Sequence, residues 1–149
     1  MSDKFSQELA VSNLLTSFLT RRNFQIIQLV SPGSQATYSI TYTNIETSKR
    51  KTVFPDLIAV KGKTIFIGEM KGDFSSADKV KLLNMKVSAE LSKIISRLIS
   101  RVLVTNETRY RVKYCLIHGN IQAPKDVDIC QLILTAETEL LLTSGRIDQ

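Results

Sequence analysis

The feature that most constrains this chain is a pair of apolar segments, residues 56–60 (DLIAV) and Thr64–Met70 (TIFIGEM), joined around Gly62. Both faces of each segment are largely apolar, the pattern of central strands covered on two sides. With Gly62 and Lys63 as a two-residue loop, glycine at the first central position suits a type II′ turn. Lys61 then pairs with Thr64, and counting back along the ladder sets Asp56 directly opposite Glu69. Residues so opposed have Cβ atoms about 4.5–5.5 Å apart. Two carboxylates facing each other in an apolar sheet repel and lose hydration, a costly arrangement without compensation. A divalent cation between them supplies it. Lys71 follows Glu69 by two residues, so its side chain emerges on the same face. The peptide carbonyl of Met70, between those two charged residues, is a further candidate ligand.

The rest of the chain builds around that hairpin. A helix is predicted over residues 3–22, with Asp3 or Ser6 as its cap. Val11, Leu15, Phe18 and Leu19 form its apolar arc, and Glu8 falls inside that arc. Residues 24–30 (FQIIQLV) read as a strand, and the Ser31-Pro32-Gly33-Ser34 stretch as a loop. Next comes an alternating segment in which Tyr38, Ile40 and Tyr42 face one way and Ser39, Thr41 and Thr43 the other. A turn over residues 44–48 returns the chain along residues 49–54, giving a two-stranded ribbon. After the hairpin, one long helix is predicted over residues 77–103, with Val80, Leu83, Val87, Leu91, Ile94 and Leu98 on its apolar arc. Lys79, Lys86, Lys93, Arg97 and Arg101 lie within about 40° of that arc. Residues 110–117 should be a strand. His118, the one histidine, is read as structural, since a single imidazole makes no histidine–metal cluster. The tail holds two apolar segments, ICQLIL and ELLL, assigned to a subunit interface or an added edge strand. The order α-β-ribbon-β-β-α-β predicts a mixed α/β sandwich.

With 149 residues, the chain has the length of one ordinary domain. No apolar run approaches the roughly 20 residues that span a bilayer, so no membrane partner is expected. The first ten residues lack the apolar stretch of a signal peptide. Cys115 and Cys130 form no C-x-x-C pair, and together these features point to a reducing cytoplasm. The net charge of +6 is unevenly spread: residues 41–119 carry fifteen Lys/Arg against seven Asp/Glu, and residues 120–149 carry two against five. A polyanion is therefore expected to dock on the middle of the chain.

Two carboxylates, a metal and an ammonium at one sheet edge suit hydrolysis of a phosphodiester. Hard oxygen donors that leave room for waters and phosphate oxygens favour Mg²⁺, with Mn²⁺ or Ca²⁺ able to replace it for binding. Lys71 would hold the attacking water or offset charge on the phosphorus oxygens. Lys49, Arg50 and Lys51 stand on the returning arm of the ribbon, and a two-stranded ribbon fits the major groove of duplex DNA. Ser39, Thr41 and Thr43, with Lys49 and Lys51, are the candidate groove and phosphate contacts. Lys79, Lys86 and Lys93 are alternative phosphate contacts along the second helix. With no tryptophan and 7% aromatic residues, stacking on single strands is not the expected mode.

The run Pro55-Asp56, twelve residues, then Glu69-Met70-Lys71 resembles the PD-(D/E)XK nuclease signature, and the α-β-β-β-α-β order resembles that fold over residues 3–118. The resemblance implies a restriction-endonuclease-like core: a central mixed sheet flanked by helices, here with a β-ribbon inserted. It implies Asp56 and Glu69 as metal ligands and Lys71 as the water-orienting base. Many members add an acid from the first helix, where Glu8 stands. The second helix lacks the Gln-and-Tyr motif of exonuclease-type relatives. A compact domain with a ribbon before the motif resembles site-specific endonucleases, most of all the small intron-encoded homing endonucleases of bacteria. Type II restriction enzymes and Holliday-junction resolvases share the same catalytic residues. One such site cuts one strand, so a double-strand break needs a dimer or tetramer with two-fold symmetry, with residues 119–149 as the expected interface. A DNA-binding or assembly module that kept the fold and lost the chemistry is the non-enzymatic alternative; the complete motif counts against it.

Overall fold

The computed structural model describes residues 2–107, 109–124 and 128–142, with side chains from residue 4 onward. Helix α1 spans Ser2–Arg21 and is followed by β1, Gln25–Leu29. Strands β2 (Ile40–Thr43) and β3 (Arg50–Val53) form a separate two-stranded ribbon. The hairpin strands are β4 (Leu57–Lys61) and β5 (Thr64–Met70). Helices α2 (Ser76–Lys86) and α3 (Ala89–Leu103) then lead into β6 (Arg111–His118), β7 (Cys130–Leu134) and β8 (Glu139–Leu142). The result is an α/β fold on a six-stranded sheet of order β1-β4-β5-β6-β7-β8. It is mixed: β5–β6 and β6–β7 are parallel, and the other three pairs are antiparallel. Among the described residues, no helix is long and apolar enough to cross a membrane.

The hairpin ladder runs from Lys61↔Thr64 to Leu57↔Gly68, the register that the two-residue loop predicts. Gly62 has φ +59° while Lys63 is not left-handed. That combination fits the II′ turn and excludes I′, which needs positive φ at both positions. Side chains alternate across the sheet. Ile58, Val60, Ile65 and Ile67 pack on one face against Leu82, Met85, Leu91, Ile95 and Ile99 of α2 and α3 and against Ile40, Tyr42 and Val53 of the ribbon. Leu57, Ala59 and Met70 pack on the other face under Val11, Leu15, Phe18 and Leu19 of α1. Each fully buried Leu or Ile in these layers is worth about 1.5–3 kcal/mol. The apolar arc predicted for α1 is thus the one it buries. The helix begins at Ser2, so Ser6 lies inside it and does not cap it; the side chain of Asp3 is outside the described residues.

Two expectations are corrected. The single long helix is two, because Ser88 accepts a hydrogen bond from the N–H of Leu91 (3.1 Å) and caps α3. A serine whose hydroxyl serves a new N-terminus competes with continuation of the preceding helix. The break shifts the phase, so Val80 and Val87 of the predicted arc are exposed (55% and 64%), while Leu82, Met85, Ile95 and Ile99 fill the core. The sheet and core also extend past residues 3–118, and of the two readings of the tail the added strand is the one found. β7 is buried along its whole length and β8 completes the sheet as an edge strand. The ICQLIL and ELLL segments are therefore strands of this chain's own sheet; residues 125–127 and 143–149 lie outside the described residues.

Candidate active site

Alternation places the side chains of Asp56 and Glu69 on the same face, toward α2 and α3: Asp56 has the parity of Ile58 and Val60, Glu69 that of Ile65 and Ile67. The two acids are laced together through the backbone. The N–H of Met70 donates to Asp56 Oδ2 at 2.9 Å, and the N–H of Asp56 donates to Glu69 Oε2 at 3.3 Å. Each carboxylate therefore reaches across to the neighbouring strand. Val30, just after β1, fixes Asp56 from its other side, its N–H donating to the Asp56 carbonyl at 2.8 Å.

Gln28 of β1 braces the same turn. Its Nε2 donates to the carbonyls of Pro55 (2.7 Å) and Tyr38 (3.2 Å), while its Oε1 accepts from the N–H groups of Thr37 (2.9 Å) and Tyr38 (2.7 Å). One buried amide thus ties the hairpin entrance to the start of the ribbon. The sequence reading passed over it because FQIIQLV reads as an ordinary strand; a glutamine at an inward position was the available signal.

The electrostatics of the pair differ by position. Glu69 is buried, 7% exposed, and its Oε1 is 2.5 Å from Lys81 Nζ on α2. Burial pushes the Asp56 carboxyl up to about 6; the Met70 N–H pulls against that, Glu69 adds to it, and Lys71 and Lys81 pull against it. Lys71 is exposed at the end of β5, close enough for its charge to act on Asp56. Lys81 was missed in the sequence because the wheel treated α2 and α3 as one helix. With α2 indexed alone, Lys81 lies one turn before the buried Met85, on the side that faces the sheet.

These residues fit a hard divalent cation. Two carboxylates converge from adjacent strands, and burial, with the neighbouring Glu69 adding to it, makes the charged form of Asp56 costly. In an extended strand the N–H and C=O of one residue point to the same neighbour, so the Met70 carbonyl is directed to the β4 side, where its N–H meets Asp56. Glu8 does not join Asp56 and Glu69 as a third acid of a metal-holding group. It belongs to α1, whose apolar arc packs on the opposite face, and its backbone lies beside Gly72, the residue that follows Lys71. Among the described residues, no three His, Cys, Asp or Glu side chains assemble as a metal-holding group.

The candidate DNA contacts are rearranged by the ribbon's register. Thr41 pairs with Thr52 and Thr43 with Arg50, so these four share the outer face, whereas Lys51 stands opposite the inward Tyr42. Arg50 is committed to the protein, with NH1 2.9 Å from Thr43 Oγ1 and 3.5 Å from Glu90 Oε2. Ser39, Thr41, Lys49 and Lys51 are exposed, while Thr43 is half-buried and its N–H donates to Glu90. On the helices, Lys79 is half-buried, Lys86 donates to the Asp128 carbonyl at 2.6 Å, and Lys93 is exposed. His118 is buried: its Nδ1 accepts from the Asn120 N–H, so Nε2 carries the proton and donates to Gln131 Oε1 at 3.0 Å. Burial lowers its pKa, as suits a neutral structural imidazole. Compared with known proteins, the chain matches no family model, no curated protein and no solved structure.

Proposed function

We propose that this chain is a magnesium-dependent, site-specific endonuclease of duplex DNA with a PD-(D/E)XK, restriction-endonuclease-like core. The observation that carries the reading is the reciprocal lacing of Asp56 and Glu69 on one sheet face, with two lysines beside them. Asp56, Glu69 and the Met70 carbonyl would hold the ion, and Mn²⁺ or Ca²⁺ would occupy the same oxygens. A metal held there would supply polarisation of the phosphate and a lowered pKa for a coordinated water. Lys71, exposed at the strand end, orients the attacking water and offsets charge on the phosphorus oxygens. The rigid pairing of β4 and β5 keeps both acids aligned on one phosphate.

Ser39, Thr41, Lys49 and Lys51, with Lys93, supply contacts that position the duplex. Cutting both strands requires two copies related by a two-fold axis. β8 and β1, the outer strands of the sheet, are the edges on which such copies can pair. Among enzymes of this chemistry, the compact domain with a ribbon before the motif favours an intron-encoded homing endonuclease over a restriction enzyme or a junction resolvase. The test is incubation with long duplex DNA and Mg²⁺, for the natural chain and for Asp56→Asn. Discrete bands from the first and none from the second support the reading. DNA that both proteins retard and neither cuts replaces it with a binding module.

A further inference from the structure

Lys81 and a divalent cation have a claim on the same carboxylate oxygen. In the fold as it stands, both oxygens of Glu69 are taken: Oε1 by Lys81 Nζ at 2.5 Å and Oε2 by the Asp56 N–H at 3.3 Å. Burying a carboxylate 7% exposed is costly without a counter-charge, and Lys81 supplies one. A magnesium-type ion needs carboxylate oxygens at about 2.0–2.1 Å in near-octahedral geometry. An ammonium held against the same carboxylate would repel that ion and block one of its positions.

Lys81 also has somewhere else to go. Its side chain is 28% exposed, on a long flexible stem. Asp78, three residues earlier and so on the same side of α2, has a buried Oδ2 with no hydrogen-bond partner among the described residues. The buried hydroxyl of Tyr42, from the ribbon, is likewise without a partner and feels the charge of Lys81.

We infer that Lys81 is a positioning residue that stands in for the metal: it holds Glu69 in place while the site lacks a divalent ion and swings toward Asp78 and Tyr42 when one binds, thereby setting the metal affinity. This rests on the nuclease reading and deepens it. The test is calorimetric titration of the full chain with Mn²⁺, alongside cleavage measured across a range of Mn²⁺ concentrations. Lys81→Met and Lys81→Gln should bind Mn²⁺ on the order of tenfold more tightly, about 1.4 kcal/mol, and reach half-maximal cleavage at correspondingly lower Mn²⁺. Lys81→Arg, which keeps the charge, should retain the natural affinity. Mn²⁺ should also raise the melting temperature of Lys81→Gln more than that of the natural chain. A folded Lys81→Gln with unchanged or weaker Mn²⁺ affinity overturns the inference while leaving the nuclease reading intact. If the natural chain and its variants all fail to bind Mn²⁺, the nuclease reading falls with it.

Discussion

Asp56→Asn should make the metal-free protein more stable while removing its cleavage activity. Burial raises the Asp56 carboxyl from its ordinary 3.8 to about 6. A group raised on folding contributes stability that is fully present below the unfolded value and is lost as pH rises through the folded one. The contribution of Asp56 is therefore present below about pH 3.8 and gone above about pH 6, leaving an ionised carboxylate under-compensated at neutral pH. The gap between the two values corresponds to about 3 kcal/mol. Asparagine is neutral and can still accept from the Met70 N–H, at a loss of about 1 kcal/mol for a hydrogen bond no longer charge-assisted. The net gain is about 2 kcal/mol, or about 5 °C in melting temperature for a chain of this size. The assay is urea unfolding of both proteins with chelator present, from about pH 5 to about pH 8, the range over which the carboxyl ionises. The stability advantage of Asp56→Asn should grow with pH and level off above about pH 7. An advantage independent of pH, or a variant less stable at about pH 8, would refute the account of Asp56 as a carboxylate whose charge is penalised by burial.

Other residues give sharper structural tests. Gln28→Leu leaves four backbone groups around Pro55 and Tyr38 without their partner; it should cost about 3 kcal/mol in urea unfolding and slow cleavage by loosening Asp56. Ser88→Ala removes the cap of α3, and should lower stability by about 1 kcal/mol with activity little changed. Glu8→Gln removes an acid that does not group with Asp56 and Glu69, and should slow cleavage by less than about tenfold, under 1.4 kcal/mol in the barrier. Glu69→Gln should abolish it.

The errors of the sequence reading have identifiable physical sources. The long-helix prediction failed because a wheel assumes continuity, and Ser88 between Val87 and Ala89 carries little composition signal; only its bond to the Leu91 N–H reveals the cap. That one break also hid Lys81, because an arc fitted across both helices is centred away from the side that α2 alone buries, Leu82 and Met85. The tail segments were uncertain in type because short apolar runs fit a buried strand or an interface equally well. Pairing of β7 on β6 across Cys115↔Cys130 to His118↔Ile133 decided between them.

What the chain encodes locally is the hairpin. Gly62 fixes the turn, the turn fixes the register, and a period of two then carries Asp56 and Glu69 to one face with no reference to the rest of the molecule. Which face that is, and which charges meet it, depends on contacts between residues far apart in sequence. α1 packed its apolar arc on the other side, while α2 brought Lys81 onto Glu69 and β1 brought Gln28 under Pro55. Backbone geometry is set over a few residues, but the company that a buried charge keeps is settled only when distant elements pack.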